Sequence, residues 1–176
     1  MLANLRRSAL ISVFFFVLLG LLYPLAETGI GQALFNHQAN GSLTADGSTM
    51  IGQSWTGPQW FHGRPDADDP MATGGTNLGP RSKELVQAVT KQIAELKKEG
   101  VTPTPDLVTT SGSGIDPDIA PVDAYAQVNA VAKARHMSPA ALRHLVATHI
   151  ASAQFGFLGS QYINVLQLNQ ALARTS

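Results

Sequence analysis

Residues capable of chemistry crowd into two glycine loops. One is Thr109 to Pro121, "TTSGSGIDPDIAP", with Ser111, Gly112, Ser113 and Gly114 followed by Asp116, Pro117 and Asp118. The other is Thr73 to Pro80, "TGGTNLGP", with Gly74, Gly75 and Asn77. A phosphate-binding loop requires Gly, four residues, then Gly-Lys-Ser/Thr, because the lysine reaches the phosphates and the hydroxyl holds magnesium. Gly74 to Gly79 has that gap, but Pro80 stands where the lysine belongs. Gly112-x-Gly114 opens like a dinucleotide fingerprint and then places Pro117 at the third glycine. Both patterns fail at the residue that performs the chemistry.

Hydrolytic and metal chemistry meet similar obstacles. Ser113 has glycines one residue away on each side, where a nucleophile elbow needs them at two. Asp66, Asp68 and Asp69 form one acidic cluster and Asp116 with Asp118 another, yet neither has the twelve-residue calcium-loop spacing. His144 and His149 are five apart, wrong for a zinc helix, and His62 and His136 are isolated. The ordinary reading is of solvated carboxylates and hydrogen-bonded histidines. What the two loops share is position: each precedes a helix, where unpaired N–H groups need acceptors. Asp116 or Asp118 can supply one locally, as can an outside anion or a partner's carbonyl.

These loops must be carried by something, and the N-terminus indicates what. From Ala9 to Ala26 the chain is uncharged and apolar, interrupted only by Ser12 and Pro24. Eighteen residues at ~1.5 Å each give roughly 27 Å, close to the ~30 Å hydrocarbon core of a bilayer. A cleaved signal peptide is the competing reading, but "PLA" before Glu27 puts proline where a small residue belongs. Arg6 and Arg7 orient the anchor with its N-terminus in the cytoplasm. The expected domains are a cytoplasmic 1–7, a transmembrane helix at 8–26, and an extracytoplasmic domain at 27–176. Setting aside Arg6 and Arg7, that domain holds ten basic residues against twelve acidic ones, so nothing invites nucleic acid. There is no cysteine, which removes disulfides and thiol chemistry.

The outer portion reads as mostly helical. "NHQANGSLTADGS" is turn-rich, "TMIGQSW" and "PQWFHGR" read as short strands or extended segments, and Trp55, Trp60 and Phe61 are core anchors. Leu85, Val89, Ile93 and Leu96 make one helix face, with Lys91 and Glu95 an i,i+4 pair and Gly100 the stop. "LVTT" at 107–110 suggests a strand. Pro121 opens a helix with Tyr125, Val128 and Val131 as its apolar row, Ser138-Pro139 opens another, and Asn164 caps the last. The expected fold class is α+β: a membrane helix plus a mostly helical domain with a small β-sheet.

As a whole the chain resembles the C subunit of the bacterial Kdp potassium-transporting P-type ATPase. The blocks that carry the likeness are "YPLAETGIGQALF", "QANGSL", "IGQSW", "FHGRPDA" with Gly63, Arg64 and Pro65, "TGGTNLGP", "LVTTSGSGIDPDIAP", "AQVNAVAKAR" with Gln127, "QFGFLG" and "INVLQLNQAL". Departures from the family pattern fall at Arg81-Ser82-Lys83, Ala130, Ile150-Ala151 and Gln161-Tyr162. The resemblance implies a non-catalytic inner-membrane subunit of a potassium-uptake complex. Its implied partners are a channel-like potassium-binding subunit, a P-type ATPase subunit and a small single-helix subunit, within membrane lipid. It also implies a chaperone that raises the ATPase subunit's affinity for ATP. The nucleotide-binding candidates are then Gln127, Ser111, Gly112, Ser113 and Gly114, and the partner or structural loops Gly63, Arg64, Pro65, Gly74, Gly75, Asn77, Asp116 and Pro117. Topology resists direct contact, because an outer loop lies a bilayer away from a cytoplasmic nucleotide. No tightly bound cofactor and no metal are expected. The alternative is an anchored outer enzyme or small-ligand binder that uses the glycine loops.

Overall fold

A computed structural model describes residues 1–175; Ser176, the last residue of the expected outer domain, lies outside the described residues. The chain divides into two compact units, Met1–Leu43 and Thr44–Ser176.

The first unit is dominated by one continuous helix, Leu2–Leu34, long and apolar enough to cross a membrane. It runs as α1 (Leu2–Val17), a π-helical turn (Leu18–Leu22) and α2 (Tyr23–Leu34). Pro24 accounts for the wider turn. It has no N–H for the carbonyl four residues back, and its ring crowds that carbonyl, so the ladder shifts and Tyr23 N–H reaches Leu18 O instead. The helix continues eight residues beyond Ala26, where the apolar run and the expected transmembrane segment end. Thr28 donates its hydroxyl to Pro24 O at 2.7 Å, so the polar side chain is satisfied within the helix itself. Phe35 leaves helical geometry, and α3 (Asn36–Ala39) adds one turn. Gln32 Oε1 accepts from Asn36 at 2.8 Å and from Asn40 at 3.1 Å, which clasps this junction.

The second unit is built around helices. β1 (Leu43–Thr44), at the boundary, pairs with β2 (Gly47–Ser48). There follow α4 (Lys83–Glu99), α5 (Pro105–Val108), β3 (Asp118–Ile119), α6 (Pro121–Arg135), α7 (Pro139–Thr148), β4 (Ile163–Asn164) and α8 (Val165–Ala173). β3 and β4 pair antiparallel, Asp118 opposite Asn164 and Ile119 opposite Ile163. The small β component is therefore two short ladders. The expected α+β class holds.

The cap signals act where the sequence places them. Ser82, Ser138 and Asn164 each accept a first-turn N–H, from Leu85, Ala141 and Gln167, and Pro121 and Pro139 open their helices. Gly100 ends α4 at φ +79, a conformation that costs glycine nothing. Two readings change. "LVTT" is not a strand: Pro105 begins a single helical turn that buries Leu107, and only then does the chain extend at Thr109. The buried row of α6 is Ala124, Val128 and Val131, while Tyr125, one residue and so about 100° round the helix from Ala124, points outward.

One core joins Phe61, Ile119, Ala124, Val128, Val131, Leu142, Val146, Ile163, Leu168 and Leu172, so α6, α7 and α8 surround the β3–β4 pair. A smaller cluster of Leu96, Val101 and Leu107 fastens the end of α4. "PQWFHGR" forms no ladder. Phe61 is fully buried, and Trp55 and Trp60 pack at its margin with ring centroids 4.9 Å apart. The Arg135 guanidinium lies 4.4 Å above the Trp60 ring and donates from Nε to Gln59 O at 2.7 Å.

Candidate functional site

The extended segment through Phe61 and His62 crosses the core with backbone polar groups that need partners, and no strand lies beside it. Two buried side-chain amides take that place. Asn169 accepts from Phe61 N–H at 2.9 Å and donates to Phe61 O at 2.8 Å. Gln127 accepts from His62 N–H at 2.8 Å and donates to His62 O at 3.0 Å. A carboxamide carries the donor and acceptor of a peptide group, so each reproduces one rung of a sheet from a helix. Gln127 lies fully inside, on the buried stripe of α6. Its carboxamide is occupied by the protein's own backbone.

From Gly63 the segment turns into the glycine loops, and the three sequence blocks close on one another. Arg64 meets Asp106 at 2.7 Å and donates from its other terminal nitrogen to Thr109 Oγ1 and Thr110 O, both at 3.1 Å. Asp66 accepts from Ser111 N–H at 2.7 Å, from Ser111 Oγ at 2.5 Å and from Asp116 N–H at 3.0 Å. Ser111 Oγ in turn accepts from Gly114 N–H at 2.8 Å. Gly74 N–H donates to Ser113 O at 2.7 Å, Asp68 N–H to Gly114 O at 3.2 Å and Gly52 N–H to Ile115 O at 2.7 Å. A Cβ on Gly114, whose φ is +71, would meet Gly74 O at 2.9 Å, and one on Gly75 would meet Gly112 O at 3.4 Å. Glycine is required here because backbone packs on backbone. Pro117 O accepts from Val165 N–H at 3.0 Å, joining the loop to α8. Gly112, Ser113 and Asn77 stay exposed on the crest, Asn77 with φ +56.

Asp116 and Asp118 do not cap α6 as expected. Asp116 Oδ1 accepts from Asp118 N–H at 3.1 Å, an Asx turn, and Asp118 Oδ1 accepts from Asn164 Nδ2 at 2.9 Å, across the β3–β4 pair. The acceptor at the helix start is Asp123, whose Oδ2 takes Ala120 N–H at 2.9 Å. Reaching back from the third helical position is half of a capping box. Burial pushes the Asp123 carboxyl above its ordinary range, and the neighbouring Asp106 adds to that. Burial also raises Asp118, with Asp116 adding, and raises Asp68, with Asp66 adding; hydrogen bonds from Asn164 and Ser54 oppose each shift.

Beside the cluster lies a cleft of about 330 Å3, lined among others by Trp55, His62, Arg64, Asp68 and Glu95. Trp55 Nε1 and Arg64 Nε are buried there without a hydrogen-bond partner among the described residues. Among the described residues no three of His, Asp and Glu come together as a metal site.

Fold and loops together define a class: an α+β domain following one membrane-length helix, with its glycine loops turned inward onto their own backbone. The model of the family described as KdpC, K+-transporting ATPase, c chain, matches residues 5–174. A protein of Koribacter versatilis named "Potassium-transporting ATPase KdpC subunit" is 46% identical over 183 residues, covering 98% of this chain and 95% of the relative. Namesakes from Sorangium cellulosum and Acidobacterium capsulatum are 44% and 45% identical, covering 98% and 96% of this chain and 98% and 97% of their own. The chain belongs to the KdpC family, the C chain of potassium-transporting ATPases.

Proposed function

We propose that this membrane-anchored subunit acts by assembly, not by chemistry of its own, within an ATP-driven potassium-uptake complex of the inner membrane. Its N-terminus is cytoplasmic and its domain extracytoplasmic. The anchor packs beside the helices of the channel-like subunit, and the domain caps that subunit where potassium enters, in a complex that also holds the P-type ATPase and a small single-helix subunit. Any effect on the ATPase subunit's affinity for ATP is transmitted through the assembly.

One observation carries this reading: the Gln127 carboxamide is spent on the His62 backbone, and the Ser111 and Gly114 N–H groups on the Asp66 carboxylate and the Ser111 hydroxyl. Donors already engaged at 2.7–3.0 Å bind a phosphate only by giving up bonds they hold. Co-expression of the tagged full chain with the other subunits tests it. The chain is expected to carry the channel-like subunit through purification; recovery of the chain by itself would overturn the proposal.

The cleft beside Arg64 supports a second reading, a small acceptor-rich ligand satisfying the Trp55 and Arg64 N–H groups. ATP or inorganic phosphate would then raise the unfolding midpoint of the full chain, and Trp55→Phe, which deletes one of those donors, would abolish the rise. No shift with either compound leaves the assembly reading alone.

A further inference from the structure

The second unit hides its large apolar residues well, with one concentrated exception. Between Ala151 and Tyr162 the chain makes a hairpin whose tip exposes Phe155 (79%), Phe157 (77%) and Leu158 (50%), with Tyr162 exposed near its base. The tip is held, not loose. Ala151 and Tyr162 exchange backbone bonds at 2.8 and 3.2 Å, Gln154 and Leu158 exchange two at 2.9 Å, and Gly156 N–H donates to Ala153 O at 3.0 Å. Phe155 sits at φ +54, a left-handed backbone uncommon for an aromatic residue, between these rungs. Two aromatic rings are thus kept in water by a hydrogen-bonded frame, where burial in the core would have removed them.

Charge indicates what covers them. Between Arg143 and Arg174 the chain has no Asp, Glu, Lys or Arg. A headgroup-binding surface sets Lys and Arg around its apolar anchors, and here none flank the rings along the chain. The centre of a protein interface has the opposite signature, aromatic anchors with charge depleted. A preorganised tip also loses little freedom on docking.

We infer that the Phe155–Phe157–Leu158 knuckle is the anchor by which the second unit docks into an uncharged, apolar pocket on another protein subunit of the assembly. This rests on the assembly reading above and names the surface that serves it. The partner is recognised by chemistry: a pocket able to take two aromatic rings, without acidic or basic lining.

The test compares the full chain in nanodiscs of phosphatidylethanolamine and phosphatidylglycerol with the same chain in the co-purified complex, by hydrogen exchange of the 151–162 amides and side-chain footprinting of the two rings. Protection in the complex only is expected. Protection in the chain by itself, by lipid or by a second copy, would overturn the inference, as would equal exposure in both. The variant Phe155→Ser/Phe157→Ser/Leu158→Ser is expected to unfold at the wild-type Tm and to lose at least about tenfold in complex recovered. If wild type and variant are recovered equally, the knuckle is not the anchor while the assembly reading stands. If wild type itself is not recovered with partners, the assembly reading fails first.

Discussion

Asp66 is the residue on which the glycine loops turn. It takes two N–H groups and a hydroxyl from the opposite loop, so Asp66→Ala strands three donors. Hydrogen bonds to a charged acceptor contribute roughly 1.5–3 kcal/mol each, discounted here because the site is half-exposed. We expect a loss of about 2–3 kcal/mol in denaturant unfolding of the full chain, against less than about 1 kcal/mol for the exposed Ser113→Ala. Asp123 and Asp118 make the stability depend on pH. Burial holds their folded-state carboxyls above the ordinary aspartate range, so over that window the folded chain binds protons that the unfolded chain does not. Stability is therefore greater on the acidic side and declines as pH rises through the folded values. Melting followed from pH 7 downward should show a rising midpoint, and Asp123→Asn, which keeps an acceptor for Ala120 N–H, should flatten the rise. An unchanged slope would count against the assignment.

At the scale of elements, what could be read in advance follows the range of the forces involved. The openings of α6, α7 and α8 rest on Pro121, Ser138-Pro139 and Asn164, whose effects act within one turn, and those helices begin where these residues stand. The bonds of Asp66 and Gln127 span 45 to 65 residues, and no local pattern announces them. Asp118 follows the same rule: it stands where a local cap acceptor would, but its donor, Asn164 Nδ2, lies 46 residues away. Asp123 could have been found by asking which acidic residue sits three positions into the helix. The glycines of the two loops stand out in the sequence, yet the reason for them, backbone packed on backbone, needs both loops at once. Gly114→Ala should therefore cost about 2–3 kcal/mol, from left-handed strain plus the Gly74 carbonyl. Gly79→Ala, with nothing within 4 Å of the added carbon, should change stability by less than about 0.5 kcal/mol in the same assay.

At the scale of the whole molecule, side of membrane is the property that most constrains function, and a cysteine-free chain makes it measurable. Lys98→Cys, on an exposed position near the end of α4, should react with an impermeant thiol reagent added outside intact spheroplasts. Reaction only after lysis would reverse the orientation and bring the loops to the nucleotide's side. The resemblance seen in the short blocks extends over nearly the full chain, residues 5–174, and three of those blocks, "FHGRPDA", "TGGTNLGP" and "LVTTSGSGIDPDIAP", meet in the loop cluster.

The pairing of Phe61 with Asn169 also has a bearing on how the chain is made. Partners 108 residues apart cannot meet until α8 has left the ribosome, so the backbone at 61–62 waits through most of synthesis with half its partners missing. Closing so distant a contact costs loop entropy before it returns anything. The domain is thus built to finish folding only once its C-terminal helix is complete, and a chain cut short before Asn164 would emerge as a target for quality control rather than as a smaller working subunit.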